Sequence, residues 1–222
     1  MLVVLSLAAV LVGVCPGQAQ AAIYFDDFSG SGANLNGTTP DITPTGTETW
    51  TADGTWKDNG YNAEWWNGYK AGTLPFVPDS GKVYTLSAIL DADPLNSEGY
   101  NSDPIGIGFG GGPGFAFYDN GAGTVNSTGP STVDEGGYGK GAISVAIVLD
   151  TTAAAWTVEW FINDVSVRGP EAYAVNPTIT TITIWKDWMC GSVDDLTLTP
   201  EPATLSLLVL GGLAMLRRRR AA

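Results

Sequence analysis

Between Ile23 and Thr199 the apolar residues come in short alternating runs broken by clusters of Gly, Pro, Asn and Asp. No stretch of that region keeps the 3.6-residue period of an amphipathic helix. The runs predict strands over Ala22–Phe25, Glu48–Ala52, Lys70–Phe76, Lys82–Leu90, Ile105–Phe109, Phe115–Tyr118, Ala142–Leu149, Ala155–Ile162, Val165–Arg168, Thr178–Lys186 and Val193–Thr199. In Ala155–Ile162, Trp156, Val158 and Trp160 share one face and Thr157 and Glu159 the other. Asn163-Asp164 then predicts a tight turn into Val165 and hence a hairpin. Eleven strands without room for crossover helices predict an all-β fold, an antiparallel sandwich or barrel. The run Gly106–Gly114 contains a G-x-G-x-x-G string, but Pro113 and Phe115–Phe117 cannot open a helix behind it. No phosphate cradle follows, and the glycines are read as packing at a strand crossing or bend.

The two ends have a different pattern. Residues 2–14 are an unbroken apolar run leading to Ala19-Gln20-Ala21, which predicts a secretory signal peptide over 1–21, cut after Ala21. It lacks a basic stretch in front. Cleavage there removes Cys15 and leaves Cys190 alone, so no disulfide forms within the domain and its stability rests on its core. At the other end Pro200-Glu201-Pro202 precedes an apolar segment, residues 203–216, and then Arg217, Arg218, Arg219 and Arg220. As a helix those fourteen residues span about 21 Å, short of the ~30 Å hydrocarbon core, with the arginines able to snorkel. A transmembrane helix is expected there, its basic end on the cytoplasmic side and the large domain outside. The domain boundaries are thus 1–21, 22–199 and 200–222.

Composition narrows the chemistry. The chain has 222 residues, a formal net charge of -13 and no histidine, which excludes Ser-His-Asp and Cys-His nucleophiles and His-ligated metal centres. Four of the ten basic residues are the terminal arginines, so residues 22–200 hold six basic and twenty-two acidic side chains. Such a surface repels phosphate backbones, and nucleic acid is excluded as a partner.

Candidate chemistry concentrates in two stretches. Trp50, Trp56, Tyr61, Trp65, Trp66 and Tyr69 are interleaved with Asn, Asp and Gly. Flat rings beside amide and carboxylate groups suit sugars, whose C–H faces stack while their hydroxyls hydrogen-bond. Trp65 and Trp66 cannot both point inward from a strand. Trp56, Tyr61, Trp65, Trp66 and Tyr69 are therefore the candidate glycan contacts, with core packing as the competing role. Trp185 and Trp188 make a weaker pair of the same kind. The acidic stretch Asp91–Gly99 spaces Asp91, Asp93, Asn96 and Glu98 as oxygen ligands, a candidate calcium loop or else a solvated turn. The compact E-x-D-x-x-E motif of laminarinase-type glycosidases is absent at both Glu64-Trp65-Trp66 and Glu159-Trp160-Phe161. The threonines Thr178, Thr180, Thr181 and Thr183 do not form the stacked array an ice plane requires.

Two resemblances follow from these residues. Residues 200–220 are similar to the PEP-CTERM sorting signal of Gram-negative bacteria: Pro-Glu-Pro, an apolar helix, then a basic cluster. Such a tail also carries the label "ice-binding protein C-terminal domain", which describes the tail alone. The resemblance implies passage through the inner membrane, processing by an exosortase-type enzyme, and delivery to the cell envelope or an exopolysaccharide matrix. The domain itself resembles the laminin-G-like and concanavalin A-like jelly rolls. The matching pieces are Asp26-Asp27-Phe28-Ser29-Gly30, Gly81–Ser87, Ile107-Gly108-Phe109, the Trp156–Val167 hairpin and Val193-Asp194-Asp195-Leu196. That resemblance implies that the first and last strands pair, with Phe28 near Leu196. The combined expectation is an exported structural, adhesive or glycan-contacting β-sandwich without catalysis, a glycosidase on the same fold being the alternative.

Overall fold

The computed structural model describes residues 21–62, 68–92, 104–118, 121–126, 132–138, 141–187 and 191–201. The expected signal helix and the segment 203–216 lie outside them. Among the described residues no helix is long and apolar enough to cross a membrane.

The described chain is all β. Its strands are β1 (Tyr24–Asp26), β2 (Thr51–Ala52), β3 (Tyr61–Asn62), β4 (Lys70–Pro75), β5 (Val83–Asp91), β6 (Pro104–Gly110), β7 (Gly114–Tyr118), β8 (Ala122–Asn126), β9 (Thr132–Gly137), β10 (Ile143–Asp150), β11 (Thr157–Ile162), β12 (Val165–Ala172), β13 (Thr181–Lys186) and β14 (Gly191–Glu201). They form two antiparallel sheets. The first runs β1-β14-β5-β10-β11-β12, with β3 beside the start of β14, and the second runs β2-β4-β13-β6-β7-β8-β9. The first and last strands pair as expected, Tyr24 opposite Leu198 and Asp26 opposite Leu196, and Phe28 and Leu196 are both buried.

Period-two alternation explains the layering. In β5 Tyr84, Leu86, Ala88 and Leu90 are buried, while Val83, Thr85, Ser87 and Ile89 between them stay partly exposed on the outer side. The same rule in β13 sends Ile182 and Ile184 inward and Thr181, Thr183 and Trp185 outward. The inward sets of the two sheets form one core that includes Trp50, Trp56, Trp160, Phe115 and Phe117. Hydrogen bonds between the described residues of the two layers include those of Trp160 Nε1, which donates to the Gly114 carbonyl at 3.0 Å, and of the Tyr24 hydroxyl, which donates to the Pro75 carbonyl at 2.6 Å. Both satisfy a polar tip on a ring that otherwise belongs inside.

The expected hairpin at Asn163-Asp164 is present. Both residues have positive φ, 49° and 63°, the conformation a two-residue turn needs to match strand twist. The glycine run forms the β6–β7 hairpin. Three features depart from the expectation. Strands β3, β8 and β9 were not foreseen: β3 is only two residues long, and Ala122–Gly137 is rich in Gly, Ser and Thr and lacks an alternating apolar set. Strand β12 runs on to Ala172. The last strand continues through Pro200 and Glu201, beyond the strand end expected at Thr199, with Pro200 opposite Tyr84 and Glu201 opposite Val83.

Candidate functional site

The aromatic cluster expected from the sequence is divided by the fold. Trp56 is fully buried, so the glycan-contact role expected of it is corrected to core packing; its position beside Leu35 and the adjoining loop leaves no ring face to solvent. The Leu35 amide donates to the Trp56 carbonyl, which holds that loop in place. Its indole N–H finds no acceptor among the described residues. Trp50, in the same stretch, is also core: its Nε1 donates to Asp26 Oδ2 at 2.7 Å. Tyr61 sits half-buried in β3, opposite Ser192. Trp65, Trp66 and Trp188 lie outside the described residues.

Tyr69 is the candidate that reaches the surface, 60% exposed. It stands just before β4, after Gly68, whose φ of +64° turns the chain into the strand. Its ring stacks on Trp185 of β13, centroids 5.9 Å apart and planes 26° off parallel. Burial of one side of the ring, with Asp187 nearby, raises the Tyr69 phenol above its ordinary value. Trp185 faces outward because Ile184 takes the inward position, and its neighbour across the ladder is Gly106 of β6. A Cβ on Gly106 would lie 2.4 Å from the Trp185 ring and 2.4 Å from the Phe115 carbonyl, so glycine is what lets the indole lie down on the sheet.

Around this pair the outer face carries hydroxyls and small residues. One row across the ladder reads Thr51, Thr73, Thr183, Gly108, Gly114, and the next contains Thr181 opposite Gly110. Small residues next to a two-ring platform leave room for an extended ligand to lie along the sheet, with threonine hydroxyls as hydrogen-bonding groups. Trp185 entered the sequence reading only as part of a weak pair. What could have raised it is its place opposite the first glycine of the Gly106–Gly114 run, a pairing the sequence does not show.

The acidic residues are arranged otherwise than expected. Asp91 ends β5 opposite Ser192 and so is a strand residue rather than part of a loop, while Asp93, Asn96 and Glu98 lie outside the described residues. A different acidic group forms where the chain enters the sandwich: Asp26, Asp27 and Asp41 bring carboxylate oxygens within 4.8 Å of one another. Each is already engaged. Asp26 accepts from the Phe28 amide at 2.9 Å and from Trp50, Asp27 accepts from the Ser29 amide at 2.9 Å, and Asp41 accepts from the Asp27 amide at 3.0 Å. Burial raises the Asp26 carboxyl above its ordinary range, while the Trp50 and Phe28 donors pull it down. Lys186 is a buried cation that the sequence did not flag, on the inward side of β13 between Lys70 and Ile105. At the other end of the molecule, Pro200 of the expected sorting motif is buried and Glu201 half-buried. Pro202 and Arg217 to Arg220 lie outside the described residues.

No protein-family model matches the chain, and no curated protein matches it. Solved structures do. Trypanosoma rangeli sialidase, in complex with 2,3-difluorosialic acid, aligns over 87% of this chain with a TM-score of 0.52 at 14% identity. An endo-1,3-β-glucanase from Streptomyces sioyaensis aligns over 83% of this chain and 98% of its own with a TM-score of 0.49 at 10% identity. A carbohydrate-binding module from Bacillus subtilis covers 68% of this chain and 94% of its own with a TM-score of 0.46 at 11% identity. The chain spans only 33% of the Trypanosoma sialidase and 18% of another sialidase. At such identities the likeness shows the fold alone, an antiparallel jelly-roll sandwich of two sheets.

Proposed function

We propose that this chain is an exported jelly-roll protein that binds neutral polysaccharide on the outer face of its second sheet. The observation that carries the reading is the Tyr69–Trp185 stack, a two-ring platform of an exposed tyrosine and a half-buried tryptophan laid over Gly106 and bordered by threonines. Stacking on C–H faces combined with hydroxyl contacts suits a sugar chain, and the acidic surface disfavours anionic polymers. Binding without hydrolysis fits the absence of the E-x-D-x-x-E motif from both tryptophan-bearing glutamates. Glu159 is half-buried on the outside of the first sheet and accepts from the Ser166 hydroxyl at 2.6 Å.

The address in this reading comes from the two ends. The apolar run of residues 2–14 supports export. Pro200-Glu201-Pro202 with the arginine block supports retention in the inner membrane, exosortase-type processing and release to the envelope or extracellular matrix. Pull-down on insoluble and immobilised neutral polysaccharides tests the contact. Tyr69→Ala and Trp185→Ala should each reduce retention about tenfold or more while leaving the melting temperature within a few degrees. Retention unchanged in both variants overturns the platform, and release of reducing sugar by the wild-type chain overturns the binder assignment. The mass of the protein recovered from its native cells tests the sorting: loss of Arg217–Arg220 is expected.

A further inference from the structure

The outer face of the first sheet has a feature the proposed contact does not use. Strand β14 alternates in and out up to Val193, and then Asp194 and Asp195 are both exposed before Leu196 turns back into the core. Asp194 stands opposite Ile89 and Thr197 opposite Ser87, so Asp195 and Leu196 together face Ala88: a β-bulge. Asp195 takes a left-handed backbone, φ 49°. The Thr197 hydroxyl braces the bulge by donating to the Asp195 carbonyl at 3.2 Å.

A shallow, largely open depression of about 450 Å³ forms a cup at this bulge, bordered by Phe25, Ser87, Ile89, Ser144, Asp195 and Thr197 from four adjacent strands. Its wall carries a phenyl ring and an isoleucine, and its polar groups are two serine hydroxyls and one carboxylate. Among the described residues, no hydrogen bond engages the Ser87 or Ser144 hydroxyl or the Asp195 carboxylate, whereas the Ser144 amide is held by Asn163 Oδ1 at 3.0 Å. One carboxylate among neutral hydroxyls is too few charged oxygens for a calcium site, and the absence of any cation from the lining excludes an anion. An apolar wall facing a carboxylate and hydroxyls fits one neutral sugar ring, with vicinal hydroxyls on Asp195 and a C–H face toward Phe25.

We infer that this cup is a second site, for a neutral sugar residue, and that the domain is a two-faced cross-bridge between polysaccharide chains. The two sites lie on the outer faces of opposite sheets with the shared core between them, so one short segment of glycan cannot occupy both. The cross-bridging half rests on the reading under Proposed function; the cup does not.

The test uses the full chain with two soluble neutral polysaccharides, a β-1,3-glucan and a galactomannan, and polygalacturonate as anionic control. Binding is read by affinity electrophoresis and cross-bridging by viscosity. Four proteins are compared: wild type, the platform variant Tyr69→Ala/Trp185→Ala, the cup variant Asp195→Asn/Ser87→Val, and all four substitutions together. Asparagine is chosen because it tolerates positive φ. Asp195→Asn alone serves if the valine lowers the melting temperature. Wild type is expected to bind and to raise viscosity with a neutral polymer and not with polygalacturonate. The cup variant should still bind, about tenfold more weakly, and raise no viscosity. The platform variant should keep a residual affinity that the combined variant loses. A cup variant that thickens the solution like wild type, or a combined variant that binds as well as the platform variant, overturns the second site. A platform variant that binds like wild type while the cup variant loses all binding overturns only the platform. No binding of wild type to either neutral polymer overturns both.

Discussion

Aromatic residues thirteen positions apart along this chain, Trp56 and Tyr69, have opposite roles, and substitution separates them. Trp56 is sealed in the core, so Trp56→Ala should cost about 3–5 kcal/mol in urea unfolding, as expected when a large buried ring is deleted. Tyr69 is mostly exposed, and Tyr69→Ala should change stability by under about 0.5 kcal/mol while weakening polysaccharide retention. Equal losses from the two would show that Tyr69 is also a packing residue. Acid sensitivity is a further residue-scale property. Hydrogen bonds from the Thr43 and Thr45 side chains lower the Glu48 carboxyl to about 2. The Thr45 hydroxyl and amide lie 2.7 and 3.1 Å from its oxygens. A carboxyl depressed on folding contributes stability that is complete above its unfolded value of 4.5 and is lost as pH falls toward 2. Melting temperature in Glu48→Gln should therefore fall less than wild type between pH 5 and pH 2. An identical fall would refute that assignment.

At the scale of elements, hairpins show how local chemistry and packing divide the work. Asn163 and Asp164 advertise their turn in sequence because few other residues accept positive φ at two consecutive positions. Asp164→Gly should be neutral or stabilise by up to about 1 kcal/mol, and Asp164→Val should cost about 1–2 kcal/mol, measured by the urea midpoint. The β6–β7 hairpin was legible only as a site of close approach, since its glycines name no partner. The structure supplies one: Trp185 covers Gly106. Gly106→Ala should lift the indole off the sheet, lower stability by about 1–3 kcal/mol and weaken polysaccharide retention along with Trp185→Ala. Strands β8 and β9 were invisible because their residues are ordinary in loops. They are strands by virtue of successive ladders, β8 on β7 and β9 on β8, with Val125 supplying a buried contact opposite Phe115.

For the whole molecule, closure depends on β14, which lies between β1 and β5 and carries Leu196 and Leu198 into the core. A chain ending at Glu201 should unfold cooperatively like the full chain. One ending at Asp194 gives up two buried leucines, about 1.5–3 kcal/mol each, and the partner of β1, and should show no cooperative transition by circular dichroism. A sharp transition in the shorter chain would mean that the sandwich closes without its last strand. The all-β class, the pairing of first and last strands and the paired turn were readable in the amino-acid sequence, because alternation and turn chemistry act between near neighbours and because the jelly-roll resemblance set the order. Which aromatics surface was decided by tertiary structure. A tryptophan in the sequence looks the same whether its ring enters the core, as that of Trp56 does from a Gly- and Asn-rich stretch, or lies on the sheet, as that of Trp185 does from a Thr- and Ile-rich one. Only the register between distant strands, which sets Trp185 opposite Gly106 and puts Asp195 in a bulge across from Ala88, determines which side chains face solvent together.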